Sequence, residues 1–222
     1  MTLPKPYYEH DGITIYHGDC REMLPDLPKV DLVLTDPPYG IGADKNLRAN
    51  QQHGRAVAPS RDYGVGTWDT APSHSEIRAV AAKGRWAIVW GGNYFELPRS
   101  SCWLVWDKDN GNNGYADCEL AWTNLDMAVR KIRWRWMGML QEHGGRDKEH
   151  RYHPTQKPLA VVKWALNLAP ESCSIILDPF MGSGTTLRAA KDLRRKAIGI
   201  EIEERYCEIA AKRLEQEVLD FA

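Results

Sequence analysis

Short runs rich in Val, Ile, Leu and Trp recur along this chain, and stretches with helical spacing separate many of them. That alternation is what most restricts the fold, because strands joined by helical crossovers must pair in parallel and be covered on both faces. The runs predict strands at Ile13–Tyr16, Val30–Leu34, Trp86–Trp90, Trp103–Trp106, Glu119–Thr123, Val129–Trp134, Ile175–Leu177 and Lys196–Ile200. Helices are predicted at Leu159–Leu168, just after Pro158, at Thr185–Asp192 and at Glu204–Val218, the last polar enough to lie on an outer face. The expectation is an α/β protein built on a mostly parallel, twisted sheet.

The 222 residues suffice for one large domain, 1–222, with loop excursions at 41–67 and 107–153 that are too long and polar for plain connections. A formal charge of −1, from 29 basic and 30 acidic residues, gives no global reason to bind a polyanion, so any such contact must be local. Five scattered cysteines without a CxxC pair argue against a disulfide framework or a zinc site, and no other metal-ligand spacing is visible. The start MTLPKPYYEHDG lacks an apolar segment and no 18-residue apolar run occurs, so the chain reads as cytoplasmic, with no membrane span.

Chemistry concentrates in three places. VDLVLTDPPYG, residues 30–40, is an apolar strand that ends in Asp36-Pro37-Pro38-Tyr39. Successive prolines fix φ and forbid a helix, so the Asp36 carboxylate and the Pro37 carbonyl can form a rigid acceptor pair beside the Tyr39 ring. Such a pair suits an exocyclic amine on a planar base that stacks on the tyrosine. SIILDPFMGSGTTLRAA, residues 174–190, reads as strand, acidic residue, Gly-rich turn and helix. No Lys follows the glycines, which disfavours a Walker-type phosphate site, and Asp178 ahead of the turn suits a cation such as an α-ammonium. KAIGIEIEERY, residues 196–206, then places Glu201 at the end of the next strand, where ribose hydroxyls are commonly held. A cationic nucleoside is implied, and S-adenosylmethionine has both properties.

These segments, in this order, resemble the amino-directed DNA methyltransferases, specifically the permuted group whose catalytic motif precedes the cofactor motif. The likeness runs over nearly the whole chain. IYHGDC (15–20) resembles the segment whose acidic residue, here Asp19 followed by Cys20, lies near the cofactor adenine; TDPPYG resembles the catalytic motif. HPTQKP (153–158), which contains Lys157, resembles the motif that opens a cofactor-contacting helix. DPFMGSGTT resembles the methionine-binding loop, contributing Asp178, Phe180, Gly182, Ser183, Gly184, Thr185 and Thr186, and GIEIEERY supplies Glu201 for the ribose.

The resemblance implies a Rossmann-like methyltransferase fold with circularly permuted motifs, S-adenosylmethionine as cofactor and double-stranded DNA as partner. It implies catalysis by Asp36, Pro37, Pro38 and Tyr39 on a flipped-out base. Asp before Pro-Pro-Tyr favours adenine N6; N4-cytosine, an amine of RNA or protein glutamine, and a non-catalytic DNA-binding or cofactor-sensing module stay open. Homodimerisation and a separate restriction partner stay open too. For DNA contacts the residues offer Lys45, Arg48 and Arg55 in the first excursion, and Lys131, Arg133 and Arg135, which would share one face of a strand, opposite Ile132, Trp134 and Trp136. Residues 127–151 carry seven basic and three acidic residues, a net +4.

Overall fold

The computed structural model describes residues 3–42, 69–111, 116–137, 140–143, 148–152 and 155–215. Among them the strands are β1 (Tyr8–His10), β2 (Ile13–His17), β3 (Val30–Thr35), β4 (Gly84–Trp90), β5 (Trp103–Asp107), β6 (Cys118–Thr123), β7 (Arg130–Arg133), β8 (Trp136–Met137), β9 (Leu140–Gln141), β10 (Ile175–Asp178) and β11 (Lys196–Glu201). The helices are α1 (Cys20–Met23), α2 (His74–Ala81), α3 (Leu159–Leu168), α4 (Thr185–Asp192) and α5 (Glu204–Glu215).

Nine strands form one sheet in the order β1-β2-β11-β10-β3-β4-β6-β5-β7. Its centre, from β2 to β4, is parallel throughout, as the alternation predicted, while β1 and β6 run antiparallel to their neighbours. The period-2 rule divides the buried residues between two cores. Leu32, Leu34, Ile88, Trp90 and Ile176 face α3, α4 and α5, whereas Val33, Ala87, Val89 and Leu177 face α1 and α2. Helices therefore cover both faces.

The chain leaves β10 toward β11 on one side and leaves β3 toward β4 on the other. The crevice beyond the carboxyl ends of β10 and β3 is thus a topological switch point, the place where open α/β sheets bind ligands. Asp31 locks the register there from the far end, since its Oδ2 accepts from the Ser174 N–H, the Ser174 hydroxyl and the Ile175 N–H, each at 2.9 Å.

Two expectations need correction. The predicted strand Val129–Trp134 is confined to Arg130–Arg133, and Trp136 begins a separate two-stranded ribbon, β8 with β9. Trp134 donates its backbone N–H to the Asp107 carbonyl as the chain leaves the sheet edge, and the alternation runs on past β7, with Lys131, Arg133 and Arg135 exposed and Ile132, Trp134 and Trp136 turned inward. The helix from Glu204 is less peripheral than its polarity suggests: Tyr206, Cys207, Ala210, Arg213 and Leu214 are buried against the sheet side. The residues beyond 215 lie outside the described part.

Candidate active site

The site is assembled where four parallel strands stop. β3 ends because Pro37 and Pro38 cannot donate to a ladder, which leaves Asp36 at the rim and the fully buried Thr35 just beneath it. Thr35 donates its hydroxyl to Asp178 Oδ1 at 2.7 Å, and the Phe180 N–H reaches the same oxygen at 3.1 Å. Burial pushes the Asp178 carboxyl up to about 6 despite those donors. One strand over, Glu201 accepts the Gly182 N–H at 3.0 Å and the Glu203 N–H at 2.8 Å, and burial raises it to about 7. Among the described residues neither carboxylate has a Lys or Arg partner within ion-pair distance, so a cation entering the crevice would meet two carboxylates that gain by its arrival.

The turn between these acids approaches the helices closely. Gly184 adopts a φ of +77°, and a Cβ there would lie 2.7 Å from Ala210 Cβ on α5, so the tight junction demands glycine. Arg213 of α5 holds the turn from below, its guanidinium donating to the Ser183 carbonyl at 2.5 Å and to Thr185 Oγ1 at 3.3 Å. Gln156 accepts from Tyr152 N–H and the Ser183 hydroxyl while donating to Glu149, which joins the segment before α3 to the Gly-rich turn.

Asp36 heads a second cluster. Its Oδ1 accepts the Tyr39 hydroxyl at 2.6 Å, and its Oδ2 lies 2.6 Å from the Lys157 ammonium. That ammonium is also 3.0 Å from Glu119 Oε2 and 3.1 Å from the Tyr39 hydroxyl, with the Trp90 ring centroid 5.1 Å away. Lys108 pairs with the other oxygen of Glu119 at 2.6 Å. Burial raises the pKa of Asp36, and Lys157 pulls it back; Glu119, flanked by both lysines, is held down at about 2. The Tyr39 ring rests on the Gly91 backbone, where a Cβ would sit 2.1 Å from Cε1, and stacks with the exposed Tyr94 at 5.0 Å and 21°.

One cavity brings together Asp36, Lys157, Asp178, Phe180, Gly182, Ser183, Thr185 and Thr186, with Leu34, Trp90, Gln156 and Met181 also in its wall. Eight of the residues singled out from the sequence for catalysis and cofactor binding therefore converge. Tyr39 abuts the cavity through Lys157, and Glu201 does so through Gly182. Asp19 is at the same sheet edge but does not line the cavity. It caps α1 through the Arg21 N–H at 2.9 Å and binds the Arg21 guanidinium, while Cys20 is buried behind it.

The basic residues of the edge are paired, Lys131 with Asp107 at 3.2 Å, Arg133 with Asp109 at 2.7 Å, and Arg135 with the other oxygen of Asp109, so two carboxylates, one at the end of β5 and one in the loop after it, offset half of the +4. Lys45, Arg48 and Arg55 lie outside the described residues, as do His153 and Trp68. Among the described residues no group of His, Cys, Asp or Glu could hold a metal, all five cysteines are free, and no helix is long and apolar enough to cross a membrane. Sequence reasoning missed Glu119, Lys108, Tyr94 and Arg213 as parts of the site. Glu119 had a signal in retrospect, as a carboxylate inside an otherwise apolar strand run.

A sequence model of the N6/N4 class, described as DNA methylase, matches residues 96–212, more than half of the chain. The chain belongs to this DNA methylase family. The methylase is 28% identical to the Type II methyltransferase M.ScaI of Streptomyces caespitosus, over 97% of this chain and 85% of that protein. It is 26% identical to M2.DpnII of Streptococcus pneumoniae, over 98% and 95% respectively. Among solved structures it resembles M1.HpyAVI in complex with SAM, with a TM-score of 0.57 and 26% identity over 92% of this chain and all of that one. It also superposes on the cytosine-N4-specific PvuII DNA methyltransferase with a TM-score of 0.61, covering 97% and 91%; at 15% identity that match speaks for the fold alone. The methylase has the Rossmann-like methyltransferase fold, and β3 with its Asp-Pro-Pro-Tyr precedes β10 in the chain although the two strands are neighbours in the sheet.

Proposed function

We propose that this methylase transfers a methyl group from S-adenosylmethionine to the exocyclic N6 of an adenine flipped out of duplex DNA. The observation that carries the reading is the joining of two acidic strand ends: Asp36 after β3 and Asp178 at the end of β10 face one cavity and are linked by the 2.7 Å Thr35–Asp178 bond.

The residues present fit the cofactor, because two buried carboxylates without cationic partners among the described residues suit an ammonium and ribose hydroxyls. Asp178 would take the ammonium and Glu201 the ribose, with Phe180, Gly182, Ser183, Thr185 and Thr186 forming the wall and Asp19 and Cys20 lying at the edge of the same site. When bound, S-adenosylmethionine supplies an electrophilic methyl group.

The rest of the chemistry belongs to the chain. An aryl amine is a weak nucleophile because its lone pair is conjugated with the ring. Asp36 and the Pro37 carbonyl accept its two N–H bonds and draw the lone pair out of conjugation, positioned for attack. The positive charge that develops on nitrogen faces the Asp36 carboxylate, an acceptor already in place. One proton then leaves the methylated nitrogen and restores a neutral amine. Tyr39 offers the aromatic surface that offsets part of the unstacking cost, a few kcal/mol for a flipped base.

DNA reading falls to the excursion at 41–67 and to the connections within 107–153, since β6 and β7 of the latter belong to the central sheet and Glu119 to the site. The Type II names of the relatives support a modification enzyme matched to a separate endonuclease. Purified protein incubated with labelled S-adenosylmethionine and duplex DNA of varied sequence is expected to yield labelled N6-methyladenine on nucleoside analysis. N4-methylcytosine would reassign the base, and an absence of labelled nucleoside from every duplex would overturn the reading.

A further inference from the structure

The most unusual feature of the site is a buried lysine placed on the very carboxylate that must receive an amine. Lys157 is 6% exposed and lies between two acidic side chains brought from different strands, Asp36 at 2.6 Å and Glu119 at 3.0 Å. Both oxygens of Asp36 are thereby engaged, one by Lys157 and one by the Tyr39 hydroxyl. An exocyclic amine needs one of them, together with the Pro37 carbonyl. A cation held there would also oppose the positive charge that grows on the amine nitrogen during transfer, so Lys157 cannot keep its full grip on Asp36 in the reacting complex.

Glu119 resolves the conflict. It contacts the same ammonium and is itself fixed by Lys108 at 2.6 Å, so a buried lysine displaced from Asp36 still has a charged partner. An ammonium left alone in such a site would cost several kcal/mol; with Glu119 in place, the withdrawal is a short shift between two seats. We propose that Lys157 is a positioning residue for Asp36, holding the carboxylate oriented before DNA arrives and passing to Glu119 when the target amine takes its place.

This inference rests on the reading of Asp36 as the acceptor of the target amine. It assigns Lys157 to the catalytic carboxylate rather than to the cofactor, although the side chain also lines the shared cavity. The groups that face Asp36 are Lys157 ahead of α3, Tyr39 beside it, Glu119 on β6 and Asp178 on β10, with Lys108 acting through Glu119. Lys157 favours the ionised form of Asp36, and Glu119 disfavours it. The two residues therefore act on the same carboxylate with opposite sign.

The test is the pH profile of single-turnover methyl transfer with duplex DNA, measured for the wild type, Lys157→Met and Glu119→Gln. Transfer needs ionised Asp36, so the rate falls on the acid side. Removing the Lys157 cation is expected to move that limb to higher pH, a shift of one unit being a tenfold loss of rate at a fixed acidic pH. Glu119→Gln is expected to move it the other way, and to raise KM for DNA several-fold because Lys157 then has only Asp36. Cofactor binding by calorimetry, retained in both variants, reports intact folding. Should Lys157→Met not fold, the downward shift and KM rise of Glu119→Gln still decide the matter. Limbs that coincide with the wild type, or that move in the same direction in both variants, overturn the assignment of Lys157. A wild type that methylates no DNA overturns instead the functional reading beneath it.

Discussion

Thr35 and Asp178, on neighbouring strands at the switch point of the sheet, are joined by a buried hydrogen bond of 2.7 Å. The bond orients a carboxylate proposed to hold the cofactor from directly beneath the catalytic motif. Thr35→Val keeps the shape and β-branching but removes the donor. S-adenosylmethionine affinity is expected to fall about ten- to hundredfold, the worth of a hydrogen bond to a charged group. Calorimetry decides the point, and an unchanged Kd would separate Asp178 from the cofactor.

The two acids of the crevice should trade stability for binding. A carboxyl whose folded-state pKa is raised adds stability below its ordinary range, and loses that contribution as pH rises through the folded value. For Asp178 that is about 6 and for Glu201 about 7, so both oppose folding of the free chain at neutral pH. Asp178→Asn, which can still accept from Thr35 and Phe180, is expected to stabilise the free chain at about pH 7.5 by roughly 1–2 kcal/mol. The same change should cost most of the cofactor affinity. Denaturant melts with and without S-adenosylmethionine measure both effects, and a variant less stable than the parent at that pH would contradict the first.

Gly91 provides a steric test. Its φ is +65° and a Cβ would lie 2.1 Å from Tyr39 Cε1, so Gly91→Ala must displace the ring that is proposed to stack on the target base. Gly111→Ala is the matched control, with a φ of +69° and, among the described residues, nothing within 4 Å of the added carbon. Backbone strain alone should cost each variant about 1 kcal/mol. Gly91→Ala should lose a further 1–3 kcal/mol or so from the clash, together with most of its transfer rate. Equal behaviour of the two variants would mean that Tyr39 relaxes freely.

The legible part of this molecule is the part written in consecutive residues. The run from Val30 to Tyr39, the strand–turn–helix around Asp178 and the strand ending at Glu201 each carry strand, breaker and chemistry within a dozen residues, and each stands where expected. Helix α2 was missed although Ser73 and Glu76 form a reciprocal capping box and Ile77, Val80 and Ala81 fall on one face, because eight residues give that spacing only about two turns in which to repeat. β1 was missed because a three-residue edge strand, Tyr-Glu-His, has no pattern to read. Glu119, Lys108 and Lys157 meet Asp36 only through sheet order, since β6 lies beside β4 and the segment before α3 returns across the crevice. Pairings of that kind depend on topology, and so does the paired basic edge, whose acidic partners come from the end of β5 and the loop after it.

That edge yields a last expectation. Asp109 holds the guanidiniums of Arg133 and Arg135, and the pairs are exposed enough on the arginine side to contribute little to stability. Asp109 has a φ of +47°, which Asn tolerates well, so Asp109→Asn should leave the loop and the overall stability nearly unchanged. It frees two guanidiniums beside a third cation, Lys131. If duplex DNA runs along β7, the variant should bind it more tightly at low salt, and the slope of log affinity against log salt should steepen by about one to two. Fluorescence anisotropy over a salt series measures both. An unchanged slope would place the DNA path away from β7 and leave recognition to the excursion that follows the catalytic motif.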